Sequence, residues 1–376
     1  MRGSVLKRGK TWSYVLYLGR DEKGRKRQKW VGGHRTRKDA EAALLDALTR
    51  VQTGVYADPG RQTVGEYLEG WLDAVKPTLA ATTWAGYRQA LTKWVIPRIG
   101  RVRLSALTSA QLARLYGQLL DGGGRDGRPL SPRSVRLAHT VTGRALADAV
   151  EWGLLPRNPA RSVRPPKEKT REMTVWRTEE LKEFLAATRD HRFYPLWVVF
   201  LTTGLRRSEA AGLRWDDLDL DRGTLAVRHT RVAVDYRVED SEPKSIKSRR
   251  LVSLDDPTVL ALRQHRKRQL EERLAAGPLW QDSGLVFVQE DGQPYHPDTI
   301  SYFFEKTVKR VGVPPIRLHD LRHTSATLAL AAGVHPKIVQ ERLGHANISI
   351  TLDTYSHVVP GMQEEAAAKV AKLIFD

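Results

Sequence analysis

Two arginines in the chain stand in contexts that suit the binding of an anion. Arg206 lies in TTGLRRSEAAGLRW, where Gly204 can end one helix and Arg206 can begin the next, beside backbone N–H groups without a helical partner. Arg322 lies in LHDLRHTSATLALAAG, and His319 precedes it by three residues, on the same face of a predicted helix. Each stretch alone has an ordinary alternative, a solvated arginine or an amphipathic helix. Together they predict a site for one phosphate, because a guanidinium donates to two oxygens at once.

Three further residue types would complete a reaction at that phosphate. His345 follows Gly344, Tyr355 comes later in the same stretch, and a basic turn, PKSIKSRRLVSL (243–254), offers a lysine. Arginines would stabilise the charge on a pentavalent phosphorus, and histidines would donate hydrogen bonds to its oxygens or accept a proton. Nearby cations lower the cost of ionising a phenol, so tyrosine could attack, while lysine would protonate the departing oxygen. The set therefore predicts cleavage of a phosphodiester by Tyr355.

The charge of the chain points to the same substrate. The 376 residues include 62 Lys and Arg against 43 Asp and Glu, a net charge of +19. Residues 1–60 alone hold 14 Lys and Arg against 6 Asp and Glu. Nucleic acid is the natural partner of such a surface, although a basic protein without that partner is the plain alternative.

Composition also excludes several kinds of site. The chain has no cysteine, so disulfides and thiolate metal sites are excluded, and no HExxH or carboxylate cluster points to a metal. No apolar run reaches the roughly 18–20 residues of a membrane span, and the amino end lacks the apolar segment of a secretory signal. We therefore expect a cytoplasmic protein.

The elements that must position these residues fall into three segments. WSYVLYL (12–18) and RKRQKWVGG (25–33) predict a small sheet, followed by a helix with Thr36 as N-cap and Asp39 in its first turn. Residues from 62 to about 165 are helical in pattern, with a capping box at Thr108 and Gln111. Ser131-Pro132 opens a further helix, which ends near Trp152.

The third segment starts near residue 174. Thr178 is expected to cap a helix, and FYPLWVVFLTTG (193–204) predicts a buried helix because it is apolar on all sides. Two or three strands follow around LAVRHTRVAVDY and RRLVSLD, and helices dominate again from about 298. The predicted fold class is mainly α with small β-sheets, a multidomain α+β protein.

Four of these motifs occur together and in order. TGLRRSE, HDLRHT, LGH and Tyr355-Ser-His357 resemble the motifs of the tyrosine recombinase (lambda-integrase-like) family. The resemblance implies an arm-type DNA-binding module with a three-stranded sheet, a helical core-binding (SAM-like) domain and a mixed α/β catalytic domain. It implies these bounds: arm module 1–58, core-binding domain 62–160, linker 161–173, catalytic domain 174–360 and tail helix 361–376. The tail would dock on an adjacent protomer or fold back on its own domain.

The resemblance also implies a role for each residue. Arg206 and Arg322 would activate the scissile phosphate, His319 would assist proton transfer, and His345 would bond a phosphate oxygen. Tyr355 would form a 3′-phosphotyrosyl link and release a 5′-hydroxyl. The link keeps the energy of the broken bond, so no ATP, metal or other cofactor is needed. Relatives carry the lysine directly after a proline, which favours Lys244 as general acid, with Lys247 as the alternative.

The implied protein is a site-specific DNA recombinase, the integrase of a phage or integrative mobile element. Its partners would be double-stranded DNA at core and arm sites and three further copies of itself, as a homotetramer on synapsed DNA. A DNA-bending host factor and a directionality factor are further possible partners, and the protein would be associated with the nucleoid. Two alternatives stay open: a Xer-like resolvase of chromosome or plasmid dimers, and a DNA-binding protein that does not cleave.

Overall fold

The computed structural model describes residues 3–20, 24–52, 62–168, 174–235, 237–241, 249–355, 371–372 and 374–375. At 18–20, 27, 46, 49–52, 350 and 353–355 it describes the backbone alone. The chain divides into two compact units, residues 1–170 and 171–376. The described residues are mostly helical, with small antiparallel sheets.

The first unit begins with a three-stranded antiparallel sheet and one helix. The elements are β1 (Gly3–Arg8), β2 (Thr11–Arg20), β3 (Lys26–His34) and α1 (Arg37–Gln52), with β2 at the centre of the sheet. One sheet face packs on α1 around Tyr14 and Leu16. The predicted cap is confirmed, because the backbone N–H of Asp39 donates to Oγ1 of Thr36 over 3.1 Å.

The rest of this unit is helical. Its helices are α2 (Val64–Val75), α3 (Ala81–Gln89), α4 (Ile96–Ile99), α5 (Ser109–Gly122) and α6 (Pro132–Glu151), and a π-helical turn (Ala90–Val95) joins α3 to α4. The capping box at Thr108 and Gln111 and the start of α6 after Ser131 are confirmed. Inside the core, the Tyr67 hydroxyl donates to the carbonyl of Ala145 over 2.5 Å. The indole of Trp71 donates to Asp148 over 2.6 Å. These bonds fix α2 against α6.

The predicted linker, 161–173, is described up to residue 168. Its first residues pack on the helical core, where Val163 is buried, and Arg136 donates to the carbonyl of Pro166 over 3.3 Å. Residues 169–173 lie outside the described residues, and the predicted domain bounds stay predictions.

The second unit is built around the buried helix that the sequence predicts. Its helices are α7 (Thr178–Ala187), α8 (Tyr194–Thr203), α9 (Arg207–Ala211), α10 (Asp256–Ala276), α11 (Pro297–Val311), α12 (Leu318–Ala331), α13 (Pro336–Leu343) and α14 (Ile348–Tyr355). Its strands are β4 (Leu218–Asp219), β5 (Thr224–Val227), β6 (Thr230–Val234), β7 (Arg237–Ser241) and β8 (Arg250–Ser253). They form a sheet in the order β4-β5-β8 and a hairpin of β6 and β7. Trp197 and Phe200 of α8 are almost fully buried in the core.

Two expectations for this unit were wrong. Thr178 is the first helical residue of α7 rather than its cap. The cap is Arg177, whose N–H donates to the carboxylate of Glu180 over 2.7 Å, so the acidic first turn supplies the capping bond. The helical region also begins earlier than the predicted residue 298, because α10 lies ahead of it. Its signals are Asp255, which caps the helix, and Pro257 in the first turn.

The last helices continue the main core of this unit. The indole of Trp176 donates to the carbonyl of Pro314 over 2.7 Å, and its backbone N–H donates to Thr324 of α12 over 3.3 Å. α12 therefore stands fixed against the core, with Arg322 buried. No helix within the described ranges has both the length and the apolar character needed to cross a membrane.

Removing one core ring should destabilise the second unit strongly. Phe304 on α11 is fully buried and lies 5.4 to 5.9 Å from the rings of Trp176, Phe184 and Trp197. We expect Phe304→Ala to lower the free energy of unfolding by about 3–5 kcal/mol, because it leaves a cavity. Chemical denaturation followed by tryptophan fluorescence measures the change.

The matched control is Tyr302→Ala on the same helix, where the ring is 59% exposed. That variant should change the free energy of unfolding by less than about 1 kcal/mol. Equal losses in the two variants would contradict this description of the core.

Candidate active site

Arg206 lies in the short turn between α8 and α9. Gly204 ends α8 in the left-handed conformation, at φ +65°, and a Cβ there would lie 2.5 Å from a methyl group of Leu343. The Arg206 guanidinium donates to Glu209 from Nη1 over 2.7 Å and to the carbonyl of Gly344 from Nη2 over 3.1 Å. Its side chain is 34% exposed. The group is thus held from two sides and still reachable from solvent.

Arg322 is the buried counterpart on α12. Its residue exposure is 2%. Nη1 donates to the carbonyl of Gly204 over 2.6 Å, and Nη2 donates to the carbonyl of Leu343 over 2.5 Å. These carbonyls lie at the C-terminal ends of α8 and α13, where the partial negative charge of a helix favours a cation. Since Arg206 binds the next carbonyl, that of Gly344, the structure brings both arginines to one turn.

His319 lies three residues before Arg322, at the start of α12, and is exposed. Its ring lies 5.0 Å from that of His323, in a perpendicular arrangement. Partial desolvation and then the charge of Arg322 lower the pKa of His319. Desolvation and the neighbouring His319 lower the pKa of His323 to about 4. Both rings are therefore neutral at neutral pH, and a neutral imidazole can accept a proton.

His345 follows the glycine that ends α13. Its backbone N–H donates to the carbonyl of Gln340 over 3.1 Å, and Nε2 of Gln340 donates back to the carbonyl of His345 over 2.8 Å. The Nδ1 atom is 2.9 Å from the hydroxyl of Thr351 on α14. Burial, followed by the charges of Arg322 and Arg206, lowers the pKa of His345 to about 4. The ring is held neutral beside the two arginines.

The predicted nucleophile is described by its backbone alone. Tyr355 is the last residue of α14 in the structure, one helical turn beyond Thr351 and on the same helix face. The bond from Thr351 to His345 therefore ties the helix that carries Tyr355 to the arginine cluster. Lys244 and its alternative Lys247 lie outside the described residues, as do Ser356, His357 and most of the tail helix.

Sequence reasoning missed two residues of this cluster, Glu209 and Arg250. The carboxylate of Glu209 is almost fully buried and accepts from Arg206 and from Arg250. Burial alone would raise the pKa of Glu209, but the bonds from Arg250 and the charge of Arg206 outweigh it and hold that pKa below its ordinary value. The local signal for Glu209 was its position three residues after Arg206, the spacing of a capping box. Arg250 had no such signal, because its partner is 41 residues away in sequence.

A cavity of about 280 Å³ opens beside His345. Its lining residues are Arg249, Arg250, Lys337, Gln340, Glu341, Gly344 and His345. Three of the seven carry a positive charge and one, Glu341, carries a negative charge, so the lining is positive on balance and suits a phosphate oxygen better than an apolar group. Among the described residues, no group of three or more His, Asp or Glu is placed to hold a metal ion.

Comparisons with known proteins place the chain among DNA recombinases. The phage integrase family model matches residues 174–361, an arm DNA-binding domain model matches 4–51, and a phage integrase N-terminal SAM-like domain model matches 63–120. A tyrosine recombinase XerC-like protein of Caldanaerobacter subterraneus subsp. tengcongensis is 30% identical, over 96% of each chain.

Two solved structures confirm the expected fold class. The Tn1549 transposon integrase in complex with a circular intermediate DNA aligns with a TM-score of 0.70 and 21% identity, over 83% of this chain and 99% of its own. A lambda integrase tetramer bound to a Holliday junction aligns with a TM-score of 0.60 and 17% identity, over 93% of this chain and 94% of its own.

The lowered pKa of His345 predicts a pH dependence of stability. The pKa rises from about 4 in the folded protein to the ordinary 6.5 on unfolding. Between these values the unfolded chain binds the extra proton, so the free energy of unfolding should rise with pH across this window. Above pH 6.5 the ring is neutral in both states and contributes no slope.

A histidine NMR titration measures this pKa directly, and denaturation between pH 4 and 7 measures the slope. We expect the His345 resonance to titrate near pH 4, and His345→Gln to reduce the slope. A midpoint at or above 6.5 would contradict the partial burial of the ring near the two arginines.

Proposed function

Since this chain belongs to the phage integrase family and is a tyrosine recombinase, we propose that it is the integrase of a phage or an integrative mobile element. The observation that carries the proposal is the turn at 343–345. There Arg206 and Arg322 bind consecutive carbonyls, His345 follows, and the next helix ends at Tyr355. The match of residues 4–51 to an arm DNA-binding domain supports an integrase in particular.

In the proposed reaction, the arginines bind the scissile phosphate. Arg206 is the partly exposed cation that meets the non-bridging oxygens, and Arg322 adds positive charge from beneath the turn. His345 is neutral and half-buried, which suits a hydrogen bond to the same phosphate. The low pKa of His319 leaves its ring neutral and able to take a proton from the attacking phenol.

Bond making and breaking then occur at phosphorus. The Tyr355 oxygen forms a bond to phosphorus as the bond to the 5′ oxygen breaks, and Lys244 gives that oxygen a proton. The product is a 3′-phosphotyrosyl link with a free 5′-hydroxyl. A 5′-hydroxyl from the partner duplex reverses the step and joins the exchanged strand. The catalytic set is therefore Arg206, Lys244, His319, Arg322, His345 and Tyr355.

We propose that each segment of the chain has its own contact with DNA. The arm module (1–58) binds arm sites, the core-binding domain (62–160) and catalytic domain (174–360) bind core sites, and 161–173 is the linker. In the arm module, Arg8 stacks on the half-exposed ring of Trp30, on the sheet face that points away from α1. A basic and aromatic face of this kind fits a DNA groove.

Assembly follows from the same proposal. The related lambda integrase is a tetramer when bound to a Holliday junction. We propose a homotetramer of this chain on two synapsed core sites, joined through the tail helix (361–376). A DNA-bending host factor and a directionality factor would act with it.

A dimer resolvase is the second candidate function. The observation in its favour is the name XerC-like of a relative that is 30% identical. A resolvase exchanges two copies of one site, whereas an integrase joins two different sites. Recombination assays with the two end sequences of the element and its empty target separate these cases.

Covalent trapping tests the reaction. Incubation with a nicked core site, from which the cleaved fragment diffuses away, should leave protein attached to the DNA 3′ end. The adduct, seen on a denaturing gel, should form in EDTA and disappear in Tyr355→Phe. Arg206→Ala should slow its formation by about 10²–10³-fold, because charge on the phosphorus loses a donor.

The adduct also separates the enzyme from a DNA-binding protein that does not cleave. No adduct on the correct site, with normal affinity for that DNA, would overturn the proposal. An adduct that persists in Tyr355→Phe would show that another residue is the nucleophile.

A sulfur substitution identifies the general acid. Lys244→Ala should slow cleavage of ordinary DNA by about 10²–10⁴-fold, the usual contribution of proton transfer. When the bridging 5′ oxygen is replaced by sulfur, the leaving thiolate needs no proton. On this substrate the cleavage rate of Lys244→Ala should therefore approach that of the unchanged protein. Rates of adduct formation on the two substrates measure the effect.

Lys247→Ala is the matched variant and should cleave both substrates at nearly the normal rate. If Lys247→Ala shows the loss and the recovery instead, Lys247 is the general acid.

A further inference from the structure

Arg250 begins strand β8, and all three nitrogens of its guanidinium group donate hydrogen bonds beside the candidate site. Its side chain is 6% exposed. Nη1 donates to Oε1 of Glu209 over 3.1 Å, and Nη2 donates to Oε2 over 2.8 Å. Such a two-point pair fixes the plane of the carboxylate as well as its distance. β8 in turn pairs with β5, which opposes Arg250 to Val227.

The carboxylate held in this way also holds Arg206. Oε1 of Glu209 accepts from Nη1 of Arg206 over 2.7 Å, and Oε2 accepts from the backbone N–H of Arg206 over 2.9 Å. Glu209 is therefore shared by two guanidinium groups. Two positive charges and one negative charge leave a net positive charge, which a phosphate can use. Without Arg250, the pair of Glu209 and Arg206 would carry no net charge.

Arg250 also supports the second anchor of Arg206. Its Nε donates to the carbonyl of Arg342 over 2.5 Å. Its guanidinium lies against Gly344, where an added Cβ would be 3.0 Å from Nη1. The carbonyl of Gly344 is the group that accepts from Nη2 of Arg206. Arg250 therefore contacts both groups that accept from the Arg206 guanidinium, the Glu209 carboxylate and the turn that carries the Gly344 carbonyl.

We propose that Arg250 is a positioning residue for DNA cleavage: it holds Glu209 and the turn at 342–344, and these hold the guanidinium of Arg206 toward the phosphate. This inference rests on the proposed function. Arg250 acts through Arg206 and needs no contact with DNA. A displacement of about 1 Å in a catalytic group can cost about 10²-fold in rate, so the effect should be large in the chemical step.

Single-turnover formation of the covalent adduct on the nicked core site, with full-length protein, tests the inference. Arg250→Gln should reduce this rate about 10- to 100-fold, with affinity for core DNA changed less than about threefold. Arg250→Lys restores the charge without the two-point geometry, so its rate should fall between those of Arg250→Gln and the unchanged protein.

A double-mutant cycle gives the readout that a general structural role would not produce. Because Arg250 acts through Arg206, the variant Arg206→Ala with Arg250→Gln should cleave no more slowly than Arg206→Ala alone. The matched control is Arg192→Gln, which breaks another largely buried two-point pair in the same unit, with Glu272. It should lower thermal stability and leave the cleavage rate of folded protein unchanged.

The outcomes are distinct. Unchanged protein that forms no adduct would overturn the proposed function itself. Unchanged protein that forms adduct, with Arg250→Gln folded and equally fast, would overturn the positioning role alone. The positioning role would also be overturned if the double variant cleaves more slowly than Arg206→Ala by the full factor that Arg250→Gln causes alone. Should Arg250→Gln fail to fold, Arg250→Lys takes its place in the cycle, and a normal rate for it would overturn the role.

Discussion

The second unit, residues 171–376, depends on the binding of arginine side chains to the carbonyl groups at two helix ends. α8 and α13 both end at a left-handed glycine, Gly204 and Gly344, and each end exposes carbonyl groups that no helical N–H can satisfy. Arg322 binds one carbonyl from each end and is almost completely buried in doing so. Removal of this guanidinium would leave two buried carbonyls without partners, in addition to removing a charge from the site. Folding and the proposed cleavage of DNA therefore use the same group.

Burial and positive charge together keep the histidines of the site neutral. Desolvation, followed by the charges of Arg322 and Arg206, lowers the pKa of His345, and desolvation followed by the charge of Arg322 lowers the pKa of His319. Neutral rings can exchange protons and hydrogen bonds without adding to the repulsion among cations. Glu209 balances the cluster from within and is itself kept ionised by the arginines around it. One buried carboxylate allows several cations to share a small volume.

The parts that the sequence could predict are those governed by local interactions. Thr36 and Thr108 cap their helices through residues three positions away, and Gly204 ends α8 as its position predicted. The cap at Thr178 was misplaced by one residue, because the glutamate of the first turn bonds a backbone N–H and makes a side-chain cap unnecessary. α10 was missed because it is rich in arginine and lacks a clear apolar stripe, and tertiary packing decides such a segment. The family motifs predicted the fold class. The pairing of Arg250 with Glu209 could not be predicted, because it depends on tertiary contact between residues 41 positions apart.

The burial of Arg322 links the abundance of the protein to its reactivity. A substitution that removes this guanidinium leaves two buried carbonyls without partners, so the chain would unfold more often and be degraded by proteases, in addition to losing a charge from the candidate site. Arg206 is partly exposed, so its loss would remove charge from the candidate site at a smaller cost in folding. Cells should therefore hold less protein with a substitution at Arg322 than with one at Arg206.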